Sequence, residues 1–240
     1  MGNKKKGKNS NYKISFDKQE AADKRKNRII LIVGILISAL VLGGIIAAIV
    51  ISSNDPDVGG DGGPQAPDVT PYGIHYVEMD FGDFGKVVIK VDGDAAPITA
   101  RNFMELVEDG FYDGLTIFRA QEGFVIQGGK DDEADLTPIV GEFSSNGYTN
   151  NISHLRGVIS MARTDDPDSA TSQFFITLHD QAKYSLDGKY AAFGYVVEGM
   201  DVVDDVAEAL MESPSSGYMG FVDDSDAITI ISVKKIDYQK

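Results

Sequence analysis

The chain has no cysteine among its 240 residues. That excludes disulfides, thiolate metal sites and a lipid-modified cysteine behind an apolar run. It fits an exported domain without proving export. Histidine is nearly as scarce. His75, His154 and His179 are the full set, and no two of them have metal-ligand spacing. Each reads as a structural residue of a strand or loop. No Gly-x-Ser-x-Gly elbow is present, so an α/β-hydrolase triad has no support. A Walker loop and a strand-to-helix Gly-x-Gly-x-x-Gly are also missing. The acidic groups Asp131-Asp132-Glu133 and Asp165-Asp166-Pro167-Asp168 read as solvated loops rather than metal sites. No metal and no cofactor is expected.

The net charge of -15 hides two opposite halves. Residues 1–28 hold ten Lys and Arg against three acids, a charge of +7. The remainder holds 12 bases and 34 acids, a charge of -22. Between the two lies Ile29 to Ile51, 23 residues with no charge and only Ser38 as a polar side chain. As a helix that run is roughly 34 Å long, enough for a hydrocarbon core of about 30 Å. A signal peptide usually has a shorter apolar core and a small-x-small cleavage site. The exit Ala47-Ala48-Ile49-Val50-Ile51-Ser52-Ser53 offers no convincing one, so the expectation is an uncleaved anchor in the lipid bilayer. The positive-inside tendency then keeps residues 1–28 in the cytoplasm and places the rest outside the cell membrane. The basic arm is read as a topology signal that touches anionic lipid, not as a nucleic-acid site. Gly43-x-x-x-Ala47 and Gly44-x-x-x-Ala48 could pack helices together, but no oligomer is expected.

Residues 52–73 are rich in Gly, Pro and Asp and read as a flexible linker. Asp55, Asp57 and Asp61-Gly62 lack the ordered ligands and closing Glu of a calcium loop. From residue 74 to 240 the chain reads as one folded domain. Ile74–Met79 and Lys86–Val91 form a predicted hairpin across turn residues. Asp94 to Thr99 opens a helix, with Asp or Thr near the cap and Pro97 in its first turn. Phe103, Leu106 and Val107 follow at helical spacing, and Gly110 closes the element. Short strands are predicted at 115–120, 124–128, 157–162, 172–178 and 191–197, a second helix at 199–210, and a last strand at 227–236. Eight strands and two helices imply a mainly β barrel or sandwich with helical caps.

Two segments carry the most chemistry. One runs Phe118-Arg119-Ala120-Gln121-Glu122-Gly123-Phe124-Val125-Ile126-Gln127-Gly128-Gly129. The other is Ser172-Gln173-Phe174-Phe175-Ile176. Both set long polar donors beside aromatics, which suits an apolar ligand with a backbone to hydrogen-bond. Taken singly, Phe124, Phe175 and Leu186 would be core, Arg119 a surface charge and Gln127 a strand-edge polar residue. Jointly these segments resemble the cyclophilin-type peptidyl-prolyl cis-trans isomerases. Three further blocks, in the same order as in that family, extend the resemblance over residues 75 to 240: Ala96-Pro97-x-Thr99-x-x-Asn102-Phe103, Ser160-Met161-Ala162-Arg163, and Leu186-Asp187-Gly188-Lys189-Tyr190-Ala191-Ala192-Phe193-Gly194.

The resemblance implies a closed eight-stranded antiparallel barrel capped by two helices, and an X-Pro peptide bond as substrate. It assigns catalysis to Arg119, Phe124 and Gln127, with Arg119 donating to the proline nitrogen of the twisted amide. Phe124, Val125, Phe175 and Leu186 would form the proline pocket. Gln127, Gln173 and the Arg163 backbone would hold the substrate's main chain. Ala162 and Tyr190 complete the implied substrate-binding set. Several positions depart from better-known members. Phe118 replaces a His before the arginine, Val125 a Met, Ser185 a Trp and Tyr190 a His. The resemblance implies that cyclosporin-type inhibitors use the missing Trp wall, so weak inhibition is expected and nanomolar inhibition would refute it.

The reading is an isomerase anchored in a membrane, of a bacterial kind, acting on proline-containing polypeptides outside it. One alternative is a tethered chaperone or scaffold that binds such segments with little turnover. Another is a cytoplasmic isomerase in which the apolar run is misread.

Overall fold

The structure is a computed structural model and describes residues 69–239. The basic arm, the apolar run Ile29–Ile51 and most of the expected linker lie outside the described residues. Among the described residues no helix is long and apolar enough to cross a membrane.

Among the described residues nine strands form one antiparallel sheet: β1 (Ile74–Asp80), β2 (Lys86–Asp92), β3 (Thr116–Gln121), β4 (Val125–Gly128), β5 (Val158–Met161), β6 (Phe174–Thr177), β7 (Ala192–Glu198), β8 (Ile228–Thr229) and β9 (Ser232–Lys235). Their order is β8-β3-β4-β6-β5-β7-β2-β1-β9. The expected hairpin is β1 and β2, in register from Ile74 opposite Asp92 to Asp80 opposite Lys86. Tyr72 and Gly73, just before it, exchange backbone hydrogen bonds with Gly93.

The expectation of eight strands in a closed barrel is corrected. The segment predicted as one strand over 227–236 changes partner in its middle. Ile230 donates its N–H to the Leu115 carbonyl at 2.8 Å, whereas Ile231 donates to Asp80 at 2.8 Å. Successive amides of an extended chain point to opposite sides. Here one side meets the β3 edge and the other the β1 edge, so the segment splits into β8 and β9. These two end the sheet without pairing to each other, and the hydrogen-bonded ladder is open.

Among the described residues there are three α-helices, not the two expected of this domain: α1 (Pro97–Glu108), α2 (Lys183–Leu186) and α3 (Met200–Glu212). The single turn of α2 is too short for a periodicity to reveal. α1 buries Phe103, Met104, Leu106 and Val107, and α3 buries Val203, Val206, Ala207 and Leu210. The cap of α1 also differs from expectation. Its N-cap is Ala96, whose methyl side chain offers no hydrogen-bond acceptor. The buried Glu142 carboxylate, distant in sequence, accepts instead from Ile98 N at 3.1 Å, Thr99 N at 2.7 Å and Thr99 Oγ1 at 2.7 Å. It thus satisfies N–H groups that a first helical turn leaves without partners.

The sheet alternation positions the site. Ala120, Ile126, Ile176 and Ile159 pair across four adjacent strands and point into the main core. The next row, Arg119, Gln127, Phe175 and Ser160, pairs in the same way and must point to the opposite face. A separate apolar cluster forms there from Val125, Phe175, Ala182 and Leu186, with Phe124, Ala162 and Tyr190 against it.

Candidate active site

A pocket of about 320 Å³ opens on that outer face. The strands supply Arg119, Val125, Gln127 and Phe175. Phe124 comes from the β3–β4 turn, Ala162 and Arg163 follow β5, and the stretch around α2 brings Leu186 and Tyr190. Nine of the ten residues singled out in the sequence therefore line one pocket. The tenth, Gln173, sits beside it and accepts a 3.1 Å hydrogen bond from the Gln127 side-chain amide.

Arg119 is held before any ligand arrives. Its Nε donates to the Met219 carbonyl at 2.9 Å, one terminal nitrogen to Gln127 Oε1 at 3.0 Å, and the other to Gln121 Oε1 at 2.7 Å. A guanidinium has five N–H groups, so each terminal nitrogen keeps one for a ligand. Burial pulls the Arg119 pKa below its ordinary value, and Tyr190 opposes that pull. An arginine starts so high that it stays charged.

Phe175 forms the apolar floor and is fixed from two sides. The Tyr190 ring meets it edge-on at 5.5 Å and 86°, and His154 stacks against it at 5.9 Å and 21°. Tyr190 is braced in turn by Arg163, whose guanidinium lies 4.8 Å from its ring and donates to the Lys189 carbonyl. His154 is buried, with Nδ1 2.8 Å from Asp187 Oδ1 and Nε2 3.1 Å from Ser160 Oγ. Burial pulls its pKa down, and the Asp187 carboxylate only partly offsets this. Asp187 is raised by burial, but hydrogen bonds from His154 N, Ser153 Oγ and the His154 ring outweigh that and leave it below the usual carboxylate value. Asp187, His154 and Ser160 look like a nucleophilic triad in order alone. Ser160 is completely buried behind Phe175 and cannot meet a substrate.

Cyclophilin type peptidyl-prolyl cis-trans isomerase is the family whose sequence model matches, over residues 76–233. The chain belongs to that family. The cyclophilin domain is similar to a peptidyl-prolyl cis-trans isomerase of Acinetobacter baylyi, 41% identical over 144 residues, which are 57% of this chain and 72% of that one. It is also similar to peptidyl-prolyl cis-trans isomerase B of Escherichia coli, 38% identical over 128 residues, 51% of this chain and 78% of that one. A crystal structure of a cyclophilin type isomerase from Cryptosporidium parvum superposes with a TM-score of 0.57 at 22% identity, covering 69% of this chain and 99% of that one. This last likeness supports the cyclophilin fold alone.

Two pocket residues escape the sequence reading. Met219 and Phe221 lie on a strap between α3 and β8. Phe221 forms an isolated antiparallel bridge with Arg119, and its ring lies 4.9 Å from the guanidinium carbon. The signal available was the length of the loop between α3 and the last strands, with Tyr218, Met219 and Phe221 on it. Long loops without regular structure are often functional. Ser185, the position of the missing Trp, is exposed and does not line the pocket. Among the described residues no group of three His, Asp or Glu could hold a metal ion.

Proposed function

We propose that the protein is a membrane-tethered peptidyl-prolyl cis-trans isomerase that turns X-Pro bonds in exported polypeptides and so assists their folding. In this reading residues 1–28 are a cytoplasmic arm, 29–51 a single membrane helix, 52–73 a linker and 74–240 the catalytic domain outside. One observation carries the enzymatic part: Arg119, Gln127 and Phe175 stand in one cross-strand row over one pocket of about 320 Å³ with an apolar floor. The positive arm before an uncharged 23-residue run supports the tether.

The reaction needs no nucleophile. The C–N bond of an amide is partly double and its rotation faces a barrier of about 18–20 kcal/mol. Uncatalysed X-Pro exchange takes tens of seconds or longer. In the twisted state the proline nitrogen becomes pyramidal and can accept a hydrogen bond. Phe124, Val125, Phe175 and Leu186 hold the ring, while Gln127, Gln173 and the Arg163 backbone hold the chain. Arg119 gives one of its two remaining N–H groups to the nitrogen only as the bond twists. Because Met219, Gln127 and Gln121 fix the guanidinium in advance, little reorganisation opposes that step.

The full-length chain in detergent should accelerate isomerisation of a proline peptide, and Arg119→Ala should reduce kcat/KM by about 10²- to 10³-fold, as loss of a preorganised donor does. Equal, slow rates for both proteins would remove the catalytic reading. Peptide affinity without turnover would then select the scaffold, which the exposed Ser185 and its missing wall favour. Protease added to intact cells should cut the domain and leave residues 1–28 protected. The opposite pattern would overturn the topology.

A further inference from the structure

Beside the proline pocket lies a second cavity, of about 480 Å³. Gln127 and Phe221 line both, so the two are continuous at that boundary. We propose that this cavity is a second substrate subsite, built by the strap, and that Phe118 and Phe221 select a bulky apolar side chain in the residues flanking the proline. This inference rests on the isomerase reading above.

Continuity is the first reason. A polypeptide held across Gln127 and Gln173 advances about 3.3 Å per residue. A residue close to the proline therefore reaches the second cavity, where Gln173 also appears. The lining is the second reason. Phe118 and Phe221 stack at 6.1 Å and 17° and form one aromatic wall, with Val222 beside it. Phe221 is 45% exposed, and Tyr218 and Met219 on the same strap are 90% and 47% exposed. Of these, Phe221 lines the second cavity, Met219 lines the proline pocket, and such exposed apolar side chains on one segment mark a binding surface more than a stability device.

The third reason is that the wall is fixed at some conformational cost. Met219 adopts a left-handed backbone with φ of 61°, which non-glycine residues seldom do. Gly220 follows with φ of 79°, and a Cβ there would collide with the Ala120 carbonyl. Val222 N donates to the Phe118 carbonyl at 3.0 Å. The Asp226 carboxylate ties the strap's base to Ser213 Oγ at 2.9 Å and Ser215 N at 3.1 Å. The charges set what is refused. Asp132 is neutralised by Lys130 at 2.6 Å, whereas Asp224 has no ion pair among the described residues. An acidic side chain entering here meets that uncompensated carboxylate.

The test uses the full-length chain in detergent and a peptide series. The residue at each position from three before to three after the proline becomes Phe, Leu, Ala or Glu in turn. At one position Phe and Leu should raise kcat/KM about tenfold over Ala, through KM, and Glu should fall below Ala. In Phe221→Ala that preference, read as a ratio between peptides, should shrink to about twofold or less whatever the variant's rate on the Ala peptide. Phe118→Ala should weaken it from the sheet side, and Phe221→Leu should restore part of it. A wild-type protein indifferent at every position, or a preference unchanged in Phe221→Ala, overturns the subsite. Binding of the same peptides, read by fluorescence anisotropy, separates the two failures. If no peptide turns over but Phe still binds tighter than Ala only when Phe221 is present, the isomerase reading falls and the subsite stands.

Discussion

Arg119 spends three of its donors on the protein itself, on Met219, Gln127 and Gln121. A lysine keeps the charge but has no planar fork to span those acceptors. Arg119→Lys should therefore recover little of the activity lost in Arg119→Ala, with kcat falling more than KM rises. A lysine variant within about twofold of wild type would show that charge alone suffices. His154 carries a different consequence. Its folded pKa is depressed by burial, while a free imidazole titrates near 6.5. The unfolded chain therefore binds the proton first as pH falls. The stabilisation is complete above about pH 6.5 and is lost as pH drops through the lower folded value. Asp187, also depressed, adds a loss of the same sign at more acid pH. The urea midpoint should fall between pH 7 and pH 5, and His154→Gln should flatten that slope. An equal slope in the variant would show that His154 does not carry it. That these residues belong together was legible at residue level, because Arg119, Phe124, Gln127 and Phe175 come in a joint pattern that single residues lack, and they line one pocket. The brace of His154 behind Phe175 was not. It depends on Asp187, 33 positions away, and no local signal joins the two.

Among the elements, the strap and the start of α1 show where sequence reasoning ends. The hairpin and both longer helices follow from periodicity, since alternation and helical spacing are local. The strap has no periodicity, and its contribution to Arg119 is a backbone carbonyl that any residue type could offer. Gly220→Ala should displace it, because the added Cβ meets the Ala120 carbonyl. Activity should drop at least several-fold with little change in the thermal midpoint, since the strap is exposed. A variant with unchanged kcat/KM would mean that the strap is dispensable for holding Arg119. The α1 cap follows the same logic with the opposite balance. Glu142→Ala strips acceptors from two backbone N–H groups and the Thr99 hydroxyl. Leaving buried donors unpaired costs about 1–3 kcal/mol each. Chemical denaturation should register a loss on the order of a few kcal/mol, and a loss under about 0.5 would rule the cap out as a stabilising contact. The sequence pointed to Asp94 or Thr99 as the cap because cap signals are sought nearby. Glu142 lies 44 positions from Ile98 and can be found only once the chain is folded.

At the scale of the whole molecule, the mainly β class was legible, but the ninth strand and the open ladder were not. The run from Ala227 to Ile236 reads as one strand because its apolar residues continue without a break across Ile230 and Ile231. Only the positions of Leu115 and Asp80 reveal that it serves two edges. This double duty governs the order in which the domain can be completed during synthesis. Until residue 235 has been made, β1 and β3 both present unpaired edges, and such edges recruit other strands. The sealing contact joins Asp80 to Ser232, far apart along the chain, and distant contacts form slowly. The seam therefore closes late in folding, and until it does both edges stay open to the misassembly that folding assistants exist to prevent. A chain ending at Ala227 should never be sealed, and light scattering should find it as aggregates where the full chain stays dispersed.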